Sequence, residues 1–70
     1  MTAEAILECL RKQPFLPFEV HMSNGDVHQV RHPELAIVLK SNLIIGFPET
    51  DRFAICSLLH IVSIQPMQTV

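Results

Sequence analysis

Three of the four histidines, His21, His28 and His32, share one short stretch with Glu19, Asp26 and Glu34. Imidazole nitrogen and carboxylate oxygen are both zinc donors, so this is the chain's one concentrated set of metal-ligand types. Its spacing works against a centre. In the hairpin register preferred below, His21 and His28 project to opposite faces, and no tetrahedral set closes within one chain. The expectation is therefore two sheet-surface histidines, with His32 bonding the backbone of a turn, and no metal or other cofactor.

Nucleophilic chemistry has less support. Cys56 and His60 lie four residues apart but straddle a predicted turn. Cys56 follows the apolar run Phe53-Ala54-Ile55, a setting that raises a thiol's pKa and quiets it. Ser57 and Ser63 have no glycine-rich elbow and no partner acid at usable spacing. No phosphate loop, dinucleotide fingerprint or pair of catalytic carboxylates is present. The sequence thus points to a protein that is not an enzyme and takes no small-molecule substrate. His32-Pro33-Glu34 reads as a structural turn, with Glu34 capping the next turn or pairing with Arg31.

The elements that carry these residues can be read in order. Thr2 is an N-cap, Glu4 complements the helix dipole, and Ala3, Ile6, Leu7 and Leu10 form an apolar stripe. This predicts a helix over residues 2–13, stopped by Pro14. Pro14-Phe15-Leu16-Pro17 is a stiff connector in which Phe15 and Leu16 pin the helix to a sheet. Phe18 to Met22 alternates apolar and polar, and Asn24-Gly25 then marks a hairpin.

The hairpin has two possible registers. A two-residue turn pairs Met22 with Val27 and Val20 with Gln29. A three-residue loop with Gly25 in the left-handed region pairs Phe18 with Val30 and Val20 with His28. The second is preferred because it puts Val30 on the apolar face, although His28 then joins it. Strands are predicted at 18–23, 26–32, 35–40, 43–47, 52–56 and 60–65, with one tight helical turn at Ser57-Leu58-Leu59 and a polar loop at Pro48 to Asp51.

Composition bounds the partners. The chain has 70 residues, a formal charge of −2 and 49% hydrophobic residues, drawn mostly from Ile, Leu and Val. That is one domain, 1–70, of a size that buries only about 60% of the surface its unfolded chain exposes. Arg11, Lys12, Arg31, Lys40 and Arg52 are scattered, whereas a nucleic-acid binder usually carries a basic stripe. No stretch reaches the roughly 18 apolar residues of a membrane span. The opening residues lack a basic, apolar leader. Cys9 and Cys56 are then expected to be reduced and buried in a cytoplasmic protein.

The apolar residues exceed what such a core can hold. Leu35-Ala36-Ile37-Val38-Leu39 and Leu43-Ile44-Ile45 break strict alternation, and Leu58 to Ile64 nearly does. A strand of a small antiparallel sheet normally shows one wet face. Runs that need cover on both faces predict self-association, through Ile37, Leu39, Ile44, Ile61 and Ile64 or their neighbours. One helix followed by five or six short antiparallel strands with tight turns predicts an α+β, mostly β fold. The expected architecture is a small closed barrel that leaves no open edge.

Pro14-Phe15-Leu16-Pro17-Phe18, Asn24-Gly25 and His32-Pro33-Glu34 together resemble a family of small uncharacterised bacterial proteins with a PFxPF…NG…HPE pattern. That resemblance implies no activity. More distantly, the order of helix, bent barrel and short last strand is similar to the Sm-like fold of the Hfq type, an SH3-like small barrel. Phe18 to Gly25 resembles the first Sm strand and its turn, and Ala36 to Asn42 the central strand. Ala54 to Cys56 with Ile61 to Ile64 resembles the closing pair. The Sm resemblance implies a ring that binds single-stranded RNA, which makes an RNA-binding regulator the alternative to a plain self-assembling module. A subunit of a hetero-complex is the third class. The chain departs from the Sm pattern where Ala54-Ile55-Cys56 replaces the Lys-His pair that reads uridine-rich RNA.

Overall fold

The computed structural model describes residues 1–67 and shows one helix and six antiparallel strands in an α+β arrangement. The helix α1 spans Ala3–Arg11. Thr2 Oγ1 accepts from the Ala5 N–H at 3.2 Å, and Arg11 sits in the last turn. It is shorter than the predicted 2–13. Lys12 is already extended, and the residue before Pro14 is barred from the α region, so no further turn can form. Ile6 is fully buried, which contributes about 1.5–3 kcal/mol of transfer free energy. Phe15 meets Phe18 edge to face at 6.0 Å. Leu16 does not share the pinning expected of it and stays more than half exposed.

The strands are β1 (Phe18–Met22), β2 (Val27–Val30), β3 (Ala36–Val38), β4 (Asn42–Phe47), β5 (Arg52–Ser57) and β6 (Ile61–Pro66). They form two three-stranded sheets, ordered β2-β1-β6 and β3-β4-β5. The expected closed barrel is not formed, because the ladder breaks between β2 and β3. There the predicted strand 35–40 begins instead with a 3₁₀ turn at Pro33–Leu35. Pro33 supplies a fixed φ and no donor, so the chain turns where a continuous bent strand would have joined the sheets. A second 3₁₀ turn, Leu58–His60, links β5 to β6 one residue later than predicted.

The first hairpin adopts the three-residue loop. Phe18 pairs with Val30, Val20 with His28, and His21 with Val27. The Gly25 N–H donates to the Met22 carbonyl at 3.0 Å, and the Met22 N–H donates to the Asp26 carbonyl at 2.8 Å. Gly25 has φ +94°, the value that this loop demands and glycine adopts freely. Asn24 Oδ1 accepts from the Asp26 N–H at 3.0 Å, which fixes the turn locally. The Ser23 N–H donates to the His60 carbonyl at 2.8 Å and ties the hairpin tip to the β5–β6 corner.

The core lies between the two sheets and α1. Val20, Val30, Leu43, Ile45, Cys56 and Ile6 are its fully buried members. Alternation along β4 explains the selection: Leu43 and Ile45 point inward, so Ile44 and Gly46 must point outward.

Candidate interaction surface

The register of the second sheet places a row of isoleucines across its outer face. Ile37 pairs with Ile44, and Ile44 pairs with Ile55. Two residues along the ladder Gly46 pairs with Phe53, and two residues the other way Asn42 pairs with Ser57. No outward position in these three strands carries a charge. Ile37 is 58% exposed, Ile55 63% and Phe53 68%, while Ile44 is half-buried between its neighbours.

The five predicted interface residues therefore divide. Ile37, Leu39 and Ile44 lie outward or exposed. Ile61 turns inward and is buried, and Ile64 is half-buried and packs against the same core. A bulge in the β1–β6 ladder between His21 and Met22 sets that orientation, with Val20 opposite Ile64 and Met22 opposite Ile61. Val62, between them, is exposed instead. Phe53 and Ile55 were not among the predicted interface residues. The signal was present in the Arg52-Phe53-Ala54-Ile55-Cys56 run, but only the β4–β5 register says which of its apolar residues face out.

The free edge of β5 lies beside this face. The Leu58 N–H donates to the Ser41 carbonyl at 3.0 Å, two positions beyond the Leu43–Cys56 pair. Antiparallel alternation then aims the backbone groups of Phe53, Ile55 and Ser57 away from β4. A crevice of about 400 Å³, lined by Met22, Ser23, Asn24, Ile55, Ser57 and His60, flanks this edge.

The histidines remain apart. His21 Nε2 lies 3.1 Å from Glu19 Oε1, two residues back on the same face of β1. His28 projects to the opposite face and is half-buried beside the Phe47 ring, at 6.2 Å between centroids. The His32 side chain makes no cap; its carbonyl accepts from the Leu35 N–H at 3.1 Å instead of the ring bonding the turn. Glu34 does not pair with Arg31, whose Nη2 donates to Gln29 Oε1 at 2.8 Å. Among the described residues no three His, Cys, Asp or Glu side chains gather closely enough to hold a metal ion.

Compared with known proteins, the chain matches no family model, no curated protein sequence and no solved structure.

Cys56 and His60 form no dyad. Cys56 faces the core while His60 is exposed on the 3₁₀ turn. Burial pushes the Cys56 thiol above its ordinary pKa, and the Asp26 carboxylate adds to the rise. That direction disfavours the thiolate, the reactive form. Both cysteines are free thiols, and Cys9 is half-buried on α1. Among the described residues no helix is long and apolar enough to cross a membrane.

Proposed function

We propose that this protein is a non-enzymatic interaction module that assembles with copies of itself through the outer face and free edge of the β3-β4-β5 sheet. The uncharged row Ile37-Ile44-Ile55, flanked by Phe53, carries the reading. Monomeric proteins rarely expose contiguous apolar patches larger than a few hundred Å².

The edge adds a second support. Native sheets blunt exposed edges with lysine, proline, bulges or very short strands. β5 has six residues, its only charge is Arg52 at the first position, and no bulge interrupts its ladder. Such an edge is complementary to another like it, since paired backbone needs no matching sequence. Isologous contact between identical patches is the arrangement of the commonest homo-oligomers.

The same reading takes the two sheets as an opened small barrel of the SH3 or Sm type. β5 turns through Leu58–His60 into β6, which pairs with β1, the order expected of that architecture.

Light scattering coupled to gel filtration at micromolar concentration tests the proposal. The expected result is a discrete oligomer that Ile55→Lys converts to a folded monomer. A wild-type chain that stays monomeric across the range overturns it.

A further inference from the structure

A second surface lies on the other sheet and is chemically distinct. A cleft of about 510 Å³ opens between β2 and the end of β4 with its following turn. One wall is Val27 to Gln29 with Arg31 and His32. The opposite wall is Gly46 to Glu49.

The first wall is a strand edge. β2 is the outer strand of its sheet. The Met22–Asp26 hydrogen bond fixes which pairs in the β1–β2 ladder exchange hydrogen bonds: Val20 with His28 and Phe18 with Val30. The backbone groups of Val27 and Gln29 consequently point away from β1, into the cleft.

The side chains sort by face. Gln29 and Arg31 are exposed, on the outer side of the strand. His28 is on the inner side, where its half-buried ring lies tilted at 34° to that of Phe47, with 6.2 Å between centroids. The Arg31 guanidinium donates to the neutral Gln29 amide and forms no ion pair among the described residues. It is a cation beside an unpaired edge, with one carboxylate, Glu49, on the far wall.

We propose that this cleft receives an extended acidic peptide from a partner protein, which adds a strand to β2. Backbone pairing with Val27 and Gln29 supplies the affinity. A strand laid there alternates its side chains between the two faces, so recognition divides accordingly. Apolar residues rest against the inclined rings of His28 and Phe47, and a carboxylate opposite Arg31 sets direction. An antiparallel strand that meets these demands reads acidic-apolar-polar-apolar-apolar from its N-terminus, its last residue lying on the outer face opposite the exposed Val27. This surface is centred on β2 and the β4–β5 turn and meets the self-association face only at Gly46, at the end of β4.

The probe is the peptide acetyl-Glu-Val-Thr-Ile-Val-Thr-amide, titrated into the full chain and followed by amide chemical shifts in NMR. The expected result is saturable shifts confined to Val27–Arg31 and Gly46–Glu49 at or below about 1 mM peptide. Replacing the peptide's Glu with Lys weakens binding about fivefold, the size of a single exposed charge pair. The Arg31→Glu variant restores the Lys peptide and rejects the Glu one. Proline at the central Thr removes the pairing N–H and abolishes binding. Absence of shifts, equal binding of the Glu and Lys peptides, or survival of binding with the central proline overturns the proposal. Concentration-dependent shifts at Val27–Arg31 without peptide would place a second copy in the cleft and overturn it equally.

Discussion

Gly46 stands directly opposite Phe53 in the β4–β5 ladder, and a Cβ at Gly46 would meet only the Leu35 carbonyl oxygen, at 3.7 Å. Phe53 therefore has no side chain on its ladder partner and projects a largely bare ring. The two residues give opposite predictions. Gly46→Ala fits without displacement and removes the entropic cost of glycine in a strand, so urea denaturation should show a gain of about 0.5 kcal/mol. Phe53→Ala should shift folding stability by less than about 1 kcal/mol while weakening self-association measured by sedimentation, since the ring covers little of its own chain.

Gly25 is a different case. Nothing lies within 4 Å of a Cβ added there, yet its φ is +94°. The cost of substitution is wholly conformational. Gly25→Ala should lose about 1–2 kcal/mol in thermal or urea unfolding. Asp51 has φ 55° in the β4–β5 turn, so Asp51→Gly should not lose stability. A loss at Asp51 equal to that at Gly25 would show that the two turns are not held by backbone preference.

The helix is held by one side chain more than by its cap. Ile6 is fully buried, whereas the Thr2–Ala5 hydrogen bond is exposed. Ile6→Ala should cost about 2–5 kcal/mol, since it leaves a cavity beneath α1. Thr2→Ala should cost about 1 kcal/mol. Paired urea titrations decide it, and similar losses for the two would contradict this ranking.

Cys56 gives the chain a pH dependence of known sign. Burial, reinforced by Asp26, raises the folded thiol's pKa above the ordinary value of 9.0. The folded state keeps its proton where the unfolded chain has lost it. The contribution is fully present below the unfolded value and is lost as pH rises through the folded one. Urea unfolding at increasing alkaline pH should show stability declining, and Cys56→Ala should flatten that decline while lowering stability at neutral pH. Ellman's reagent should modify Cys9 well before Cys56.

The helix, the hairpin loop and nearly every strand were legible because their signals are local. Thr2, Asn24-Gly25 and Pro14 act on their own neighbours. The hairpin's register stays open in the sequence between two loop lengths; the structure takes the longer, with Val30 buried opposite Phe18. The break between the sheets was not legible. His32-Pro33-Glu34 reads as a turn, but whether β2 continues into β3 or ends depends on where the second sheet packs. Ile61 shows the same limit. Its run is apolar on both sides, and only the bulge opposite Met22 decides that Ile61 points in and Val62 out. The surface was half visible: Ile37 and Ile44 follow from excess apolar content, while Phe53 and Ile55 required the register of a strand pair.

β1 is the middle strand of its sheet, between β2, the next strand in the chain, and β6, the last among the described residues. A growing polypeptide on the ribosome can close the β1–β2 hairpin early, but β1 must wait, with one side bare, until residues 61–66 have emerged. The Ser23–His60 bond joins points almost as far apart in synthesis. This protein therefore completes its first sheet only after residues 61–66 have been made, and a chain cut short before β6 presents β1 as an open template for its neighbours.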